Sequence, residues 1–157
     1  MKRSIHISQG ALIAALYVIL TEVSALFGLS GGVIQLRLSE ALCILPMYFP
    51  SAVPGLFIGC IISNILTGCA IWDIVFGSLA TLIGAVGTYL LRRHKCLVTI
   101  PPVIANVLIV PPVLKLVYGF EDAIWFIYLT VFIGEFISCT ILGSSIIAII
   151  EKRKKHK

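Results

Sequence analysis

Long apolar runs alternate with short polar breaks along the whole chain, and the breaks divide it into six segments, near 8–27, 38–49, 52–67, 74–91, 97–118 and 124–150. A bilayer core of roughly 30 Å takes about 20 helical residues to cross, so most of these runs have the length of a transmembrane helix. The second run is short, about 18 Å at the rise of an α-helix, and Pro50 ends it. A run of that length has to be tucked against its neighbours, where protein can satisfy its irregular ends. Pro46, Pro50 and Pro54 suit such a broken region, and the pairs Pro101–Pro102 and Pro111–Pro112 are expected to bend the fifth helix. In the fourth segment Gly77 and Thr81, Ala80 and Gly84, and Gly84 and Thr88 are each four apart, a spacing that lets helices approach closely.

Composition agrees with this pattern. The chain has 157 residues, of which 59% are hydrophobic, with a mean hydropathy of +1.09, and a soluble domain of this size could not cover so much apolar surface. The reading is a single integral membrane domain over 1–157: an all-α bundle of six transmembrane helices with a short second helix. Charge fixes the orientation. Of 12 Lys and Arg, ten fall in three clusters: Lys2 and Arg3, then Arg92, Arg93 and Lys95, then the tail from Lys152 to Lys157. Six crossings place all three clusters on the cytoplasmic side with both termini. Removing the second crossing would put the central and C-terminal clusters outside, against the positive-inside rule. The net charge of +5 is then a membrane-boundary feature, and no nucleic-acid partner is expected. The N-terminus imitates a signal peptide, with Lys2, Arg3, the apolar run from Ala11 to Leu20 and V-S-A at 23–25. The run continues past that point, so a retained helix is expected.

Several chemistries are excluded. No G-x-x-x-x-G-K-[ST] occurs, so any ATP must be used by another subunit. The tetrapeptide Gly28–Leu29–Ser30–Gly31 has the G-x-S-G form of intramembrane serine proteases. A serine nucleophile needs a base, and His6, His94 and His156 all map to the cytoplasmic side while Ser30 maps to the outer side. The five cysteines, Cys43, Cys60, Cys69, Cys96 and Cys139, form no C-x-x-C and read as small apolar residues. No enzyme activity, cofactor or metal site is expected.

What remains is a set of isolated polar residues inside apolar runs, where a charge is costly and rarely kept without a use. Glu22 lies in the outer half of the first helix. Arg37 and Glu40 are three apart at the entry to the second, as an interfacial ion pair, a cap or part of a site, with Gln35 two residues before Arg37. Asn64 is one turn from the outer end of the third helix. Asp73 opens the fourth, where capping alone would explain it. Asn106 is near the middle of the fifth, and Glu135 is the deepest charge, about three turns into the sixth. Near the outer face Glu22, Glu40, Asp73 and Glu135 stand against Arg37 alone. Such a site suits a cation or a flat group with several N–H donors, on which Trp72, Trp125, Phe120 or Tyr128 could stack. In the first helix Ala11 and Ala15, with Gly10 and Ala14 offset by one, form a small-residue face, either packed within the chain or open to another helix.

The stretches IQLRLSEALCILP at 34–46, GLFIGCIISNILTG at 55–68, DIVFGSLATLIGA at 73–85, PPVIANVLIV at 101–110 and IGEF at 133–136 resemble a known family. The chain resembles a substrate-binding S component of an energy-coupling factor transporter, of the queuosine-precursor type. That resemblance implies a six-helix fold with outer-face substrate binding through Gln35, Arg37, Glu40, Asn64, Asp73, Asn106 and Glu135, whereas Glu22 rests on the physical reading. It implies a 7-deazapurine substrate such as the aminomethyl form, whose cationic amine suits the carboxylate excess. It also implies an energising transmembrane subunit meeting Ala11 and Ala15, two cytoplasmic ATPase subunits, and delivery by toppling in the cell membrane. Two alternatives are an S component for riboflavin, biotin or a thiamine-related ligand, and a stand-alone transporter coupled to protons through Glu135.

Overall fold

The computed structural model describes residues 2–29, 36–119 and 123–155, and among these every regular element is a helix. The first helix is Lys2–Leu26, the second Leu38–Met47, the third Ala52–Leu66, the fourth Ile71–Leu90 and the fifth Ile100–Tyr118. The sixth runs through Ile124–Glu135, Phe136–Leu142 and Gly143–Lys155 without a break. Four of the six are long and apolar enough to cross a membrane, namely Ser4–Leu26, Ile71–Leu90, Ile100–Tyr118 and Ile124–Lys154. Leu38–Met47 and Ala52–Leu66 are shorter apolar helices. The chain is a multi-pass membrane protein. Its exposed residues include Leu12, Ile19, Phe27, Ile65, Leu116 and Trp125, an apolar surface suited to lipid.

The second helix differs in kind from its expected form. It is a 3₁₀ helix of ten residues, rising about 20 Å at 2.0 Å per residue. Ser39 through Pro46 are all buried, so it is a core element held by its neighbours on all sides. The proline pair Pro101–Pro102 does not bend the fifth helix. It begins it, at the positions where a missing N–H leaves no hydrogen bond unmade. Pro111 and Pro112 lie inside a helix that continues through them.

The first helix packs chiefly on the third and the fourth on the fifth. Both seams are made by glycine. A Cβ on Gly55 would lie 2.6 Å from the Gly10 carbonyl oxygen, and one on Gly84 would lie 2.6 Å from Pro102 Cα. Backbones that close leave no room for a side chain. Gly77, Ala80, Thr81, Gly84 and Thr88 are all buried, so the small-residue stripe of the fourth helix is internal packing. At the ends of the first, third and fifth helices, Gly28, Gly68 and Gly119 take positive φ of 68°, 72° and 64°, the left-handed ending that glycine favours. At the other end of the bundle, Thr88 bonds the Val98 carbonyl at 2.8 Å, and Lys95 pairs with Glu151, tying the turn after the fourth helix to the sixth.

The sixth helix holds an unpredicted device. Phe136–Leu142 is a π-helical segment that starts directly after Glu135. Directly after that segment Gly143 passes so near the second helix that a Cβ there would lie 3.0 Å from Ile44 Cγ2. Wide turns of this kind occur often at functional sites.

Candidate functional site

Five of the polar residues singled out in the sequence lie in the bundle interior: Glu40, Asn64, Asp73, Asn106 and Glu135, at 1%, 0%, 4%, 4% and 7% exposure. The structure arranges them with Arg37 in two layers.

The shallow layer is built on Arg37, the extended residue just before the second helix. Its guanidinium lies 4.0 Å from Asp73 Oδ2 and donates to Asn64 Oδ1 at 3.5 Å. Burial works against the Arg37 charge, and the carboxylates of Asp73 and Glu40 together work for it. The Tyr118 hydroxyl donates to Asp73 Oδ2 at 3.2 Å and accepts from the Ala70 N–H at 3.0 Å. Asp73 is thus the counter-ion of Arg37. The N-cap position of its helix is Ala70, which caps through no side chain. Arg37 likewise pairs with Asp73 rather than with Glu40, because the extended backbone at residue 37 takes it out of the helical register that a three-residue spacing assumes.

The deep layer is built on Glu40. Its Oε1 accepts the hydroxyl of Tyr17 from the first helix, and Thr81 Oγ1 of the fourth lies at 3.5 Å. Its Oε2 accepts from Cys43 Sγ at 3.0 Å and from Asn106 Nδ2 at 3.5 Å. Glu135 stands beside it and accepts from Cys139 Sγ at 3.5 Å, and it lines the same small cavity as Asn106. Ligand atoms of Glu40, Glu135 and Cys139 all lie within 4.8 Å of one another. The sequence shows only the four-residue step from Glu135 to Cys139 and gives no sign that both meet Glu40, so a metal-like grouping escapes it.

The chemistry of the two layers differs. In the shallow layer a carboxylate faces a guanidinium. In the deep layer two carboxylates are met by a phenol, a hydroxyl, thiols and an amide, all neutral. A buried carboxylate with only neutral donors remains short of compensation, and a proton, a cation or a donor-rich ligand would relieve it. Between the layers is a closed cavity of about 10 Å³ lined by Arg37, Asn106, Val110, Val131 and Glu135.

The remaining candidates fall elsewhere. Glu22 is half-buried, its Oε1 has no hydrogen-bond partner, and no bond described joins it to the cluster. Gln35 and Phe120 lie outside the described residues. Trp72 and Trp125 are 57% and 67% exposed, and Trp72 stacks on Phe76 on the lipid-facing surface. Ala11 and Ala15 are exposed and line a groove of about 860 Å³ between the first and third helices, whereas Gly10 and Ala14 also make the internal contacts with Gly55 and Gly59. One face thus serves both readings of the small-residue pattern. The sequence does not mark Tyr17, Thr81, Cys43 and Cys139 as cluster residues, nor Cys60, whose Sγ lies 3.4 Å from Thr81 Oγ1. All five look apolar or neutral in an apolar run, and only the one-turn spacing of Tyr17, Thr21 and Ser24 hints at a polar stripe.

Fold and site together define a helical membrane protein with a carboxylate-rich polar centre in its core, the form of a protein that takes a polar solute into the bilayer. A family model described as QueT transporter matches residues 7–152, and the chain belongs to that family, a family of transporters and not of enzymes. A similar protein is the queuosine precursor transporter QueT of Lactococcus lactis subsp. cremoris (strain MG1363), 40% identical over 86 residues, which are 54% of this chain and 50% of that protein. The match thus spans about half the length of that relative. No solved structure matches the chain.

Proposed function

We propose that this chain is the substrate-capturing membrane subunit of an ATP-driven importer of the energy-coupling factor type, and that its substrate is a 7-deazaguanine precursor of queuosine. The observation that carries the reading is the Glu40–Glu135 pair, buried among neutral donors in a chain of the QueT transporter family. A 7-deazaguanine presents ring N–H and exocyclic amine donors on one edge, and its aminomethyl form adds a cation. Carboxylates in the deep layer accept those donors and are neutralised by that cation. The name of the Lactococcus lactis relative supports the substrate class.

In this reading both termini are cytoplasmic, and the Arg37–Asp73 layer faces outward with Asn64 at the mouth. Glu40, Asn106 and Glu135 hold the ligand below it. Glu22, half-buried with its Oε1 unpaired, stays a further candidate for this site. The cavity of about 10 Å³ is too small for a bicyclic base, so capture requires its walls to separate and close again. No ATP-binding motif is present in the sequence given, so energy comes from an energising transmembrane subunit and two cytoplasmic ATPases. The groove beside Ala11 and Ala15 receives a helix of the energising subunit, and the loaded bundle topples to deliver its substrate.

Calorimetric titration of the purified chain with aminomethyl and cyano 7-deazaguanines, beside guanine, riboflavin and biotin, tests the substrate. Saturable binding of a deazaguanine is expected. Binding of a vitamin instead, by folded protein, moves the chain to another substrate class. A second reading, proton-coupled transport by this chain alone, is favoured by the closeness of Glu40 and Glu135, which could share a proton. Uptake into vesicles containing this chain and no ATPase would establish it in place of the first.

A further inference from the structure

The first helix touches the polar cluster with one face and lines the lipid-facing groove with another. Its inward polar residues are joined one after another to the start of the second helix. Tyr17 donates to Glu40, Thr21 donates to Ser39 Oγ at 2.8 Å, and Ser24 Oγ accepts from the Leu38 N–H at 3.0 Å. All three are buried, at 1%, 4% and 0% exposure. On its other side the first helix rests on glycines of the third. A Cβ on Gly59 would lie 2.9 Å from both the Ala14 carbonyl oxygen and Tyr17 Cβ. The polar links to residues 38–40 join the first helix to the start of the second.

We propose that Tyr17 is a positioning residue that carries occupancy of the Glu40–Glu135 cluster to the groove face of the first helix; this rests on the reading of that cluster as the ligand site. A ligand donor that engages Glu40 competes for the carboxylate that Tyr17 now uses. Tyr17 has two courses. It follows the carboxylate and takes the helix with it, or it stays and leaves a hydroxyl buried without a partner. The second is the costlier state, so the helix moves. Ala15 is two residues from Tyr17 and Ala11 a further turn along, and both stand on the groove. The groove then has one shape with the cluster empty and another with it filled, and the filled shape is the one a partner helix reads.

The test is a distance measurement between nitroxide labels at Ala15→Cys and Ile83→Cys, both exposed positions, with Cys69 and Cys96 replaced by Ser. Distances are taken with and without saturating aminomethyl 7-deazaguanine, and calorimetry on the same samples reports binding. Ligand is expected to shift the distance by about 1–2 Å, the scale of helix shifts in switching proteins. Tyr17→Phe is expected to lose the ligand-induced shift, with the occupancy of each sample read from its own calorimetry. A shift of equal size in Tyr17→Phe overturns the proposal, as does no shift in a Tyr17 protein that binds. Should Tyr17→Phe fail to fold, Thr21→Val weakens the next link and is expected to reduce the shift; an undiminished shift there also counts against the proposal. Folded Tyr17 protein that gives no binding heat overturns the ligand-site reading itself, an outcome that calorimetry separates from loss of coupling.

Discussion

Asp73 and Glu40 are both buried carboxylates, yet they are held in opposite ways. Asp73 has a guanidinium 4.0 Å away and a tyrosine hydroxyl at 3.2 Å, and it ties the start of the fourth helix to the end of the fifth. Glu40 has four donors within 3.5 Å and none of them is charged. A second carboxylate, Glu135, stands beside it. The first arrangement is a finished ion pair at the mouth of the bundle. The second is a centre still short of positive charge in the core. The difference separates a residue that holds elements together from residues proposed to hold a ligand, and each prediction tests whether that line falls where it is drawn.

The largest effect is expected at Glu40. Glu40→Ala removes the common acceptor of Tyr17, Cys43, Thr81 and Asn106, and each buried donor left unpaired costs about 1–3 kcal/mol. Loss of ligand binding and a marked fall in the melting temperature of the detergent-solubilised protein are both expected. A variant that melts like the native chain would mean that the four donors find other partners. Glu135→Gln comes next. It keeps shape and an acceptor but removes a charge, and a charge-assisted hydrogen bond contributes about 1.5–3 kcal/mol, so affinity should fall roughly 10- to 100-fold with the fold intact. Unchanged affinity by calorimetry would take Glu135 out of the site.

How much of this the sequence discloses depends on the range of the interaction. The six helices, the short second one and the interior polar residues are visible because burial in lipid is a property of each segment by itself. Partnerships are not. Tyr17 and Glu40 are 23 residues apart and Glu40 and Cys139 are 99 apart, and no local pattern pairs them. Cysteine misleads in particular, since a thiol in an apolar run looks like packing until a carboxylate is found beside it. The 3₁₀ form of the second helix follows from how its neighbours confine it. Pro101–Pro102 shows the opposite error, a local rule applied one turn out of place: the pair starts a helix, whereas the same residues a turn later would bend one.

Asp73→Asn sharpens the comparison from the other side. The amide keeps a hydrogen-bond acceptor for Tyr118 but leaves Arg37 without its counter-ion in a site where its side chain is only 17% exposed. Loss of stability is expected, about 1–3 kcal/mol for a buried charged group left poorly paired. Affinity should fall less than in Glu135→Gln if Asp73, already paired with Arg37 and Tyr118, shapes the mouth as proposed. If calorimetry gives the two variants equal losses, the layers act as one site and the distinction between them fails.

The smallest effect belongs to Tyr118→Phe. Its hydroxyl bridges Asp73 and the Ala70 N–H, but the residue is 42% exposed, so water can replace both bonds. A loss of about 0.5–1.5 kcal/mol in stability is the upper range for such a bond, and affinity should change less than about threefold. The informative outcome is kinetic. Tyr118 is the last residue of the fifth helix and fastens it to the turn before the fourth, so it closes the same end of the bundle as Arg37 and Asp73. Without the hydroxyl the walls around the closed cavity separate more easily, and ligand should enter and leave faster by similar factors. Stopped-flow association and dissociation rates that stay at native values would show that capture opens the bundle elsewhere.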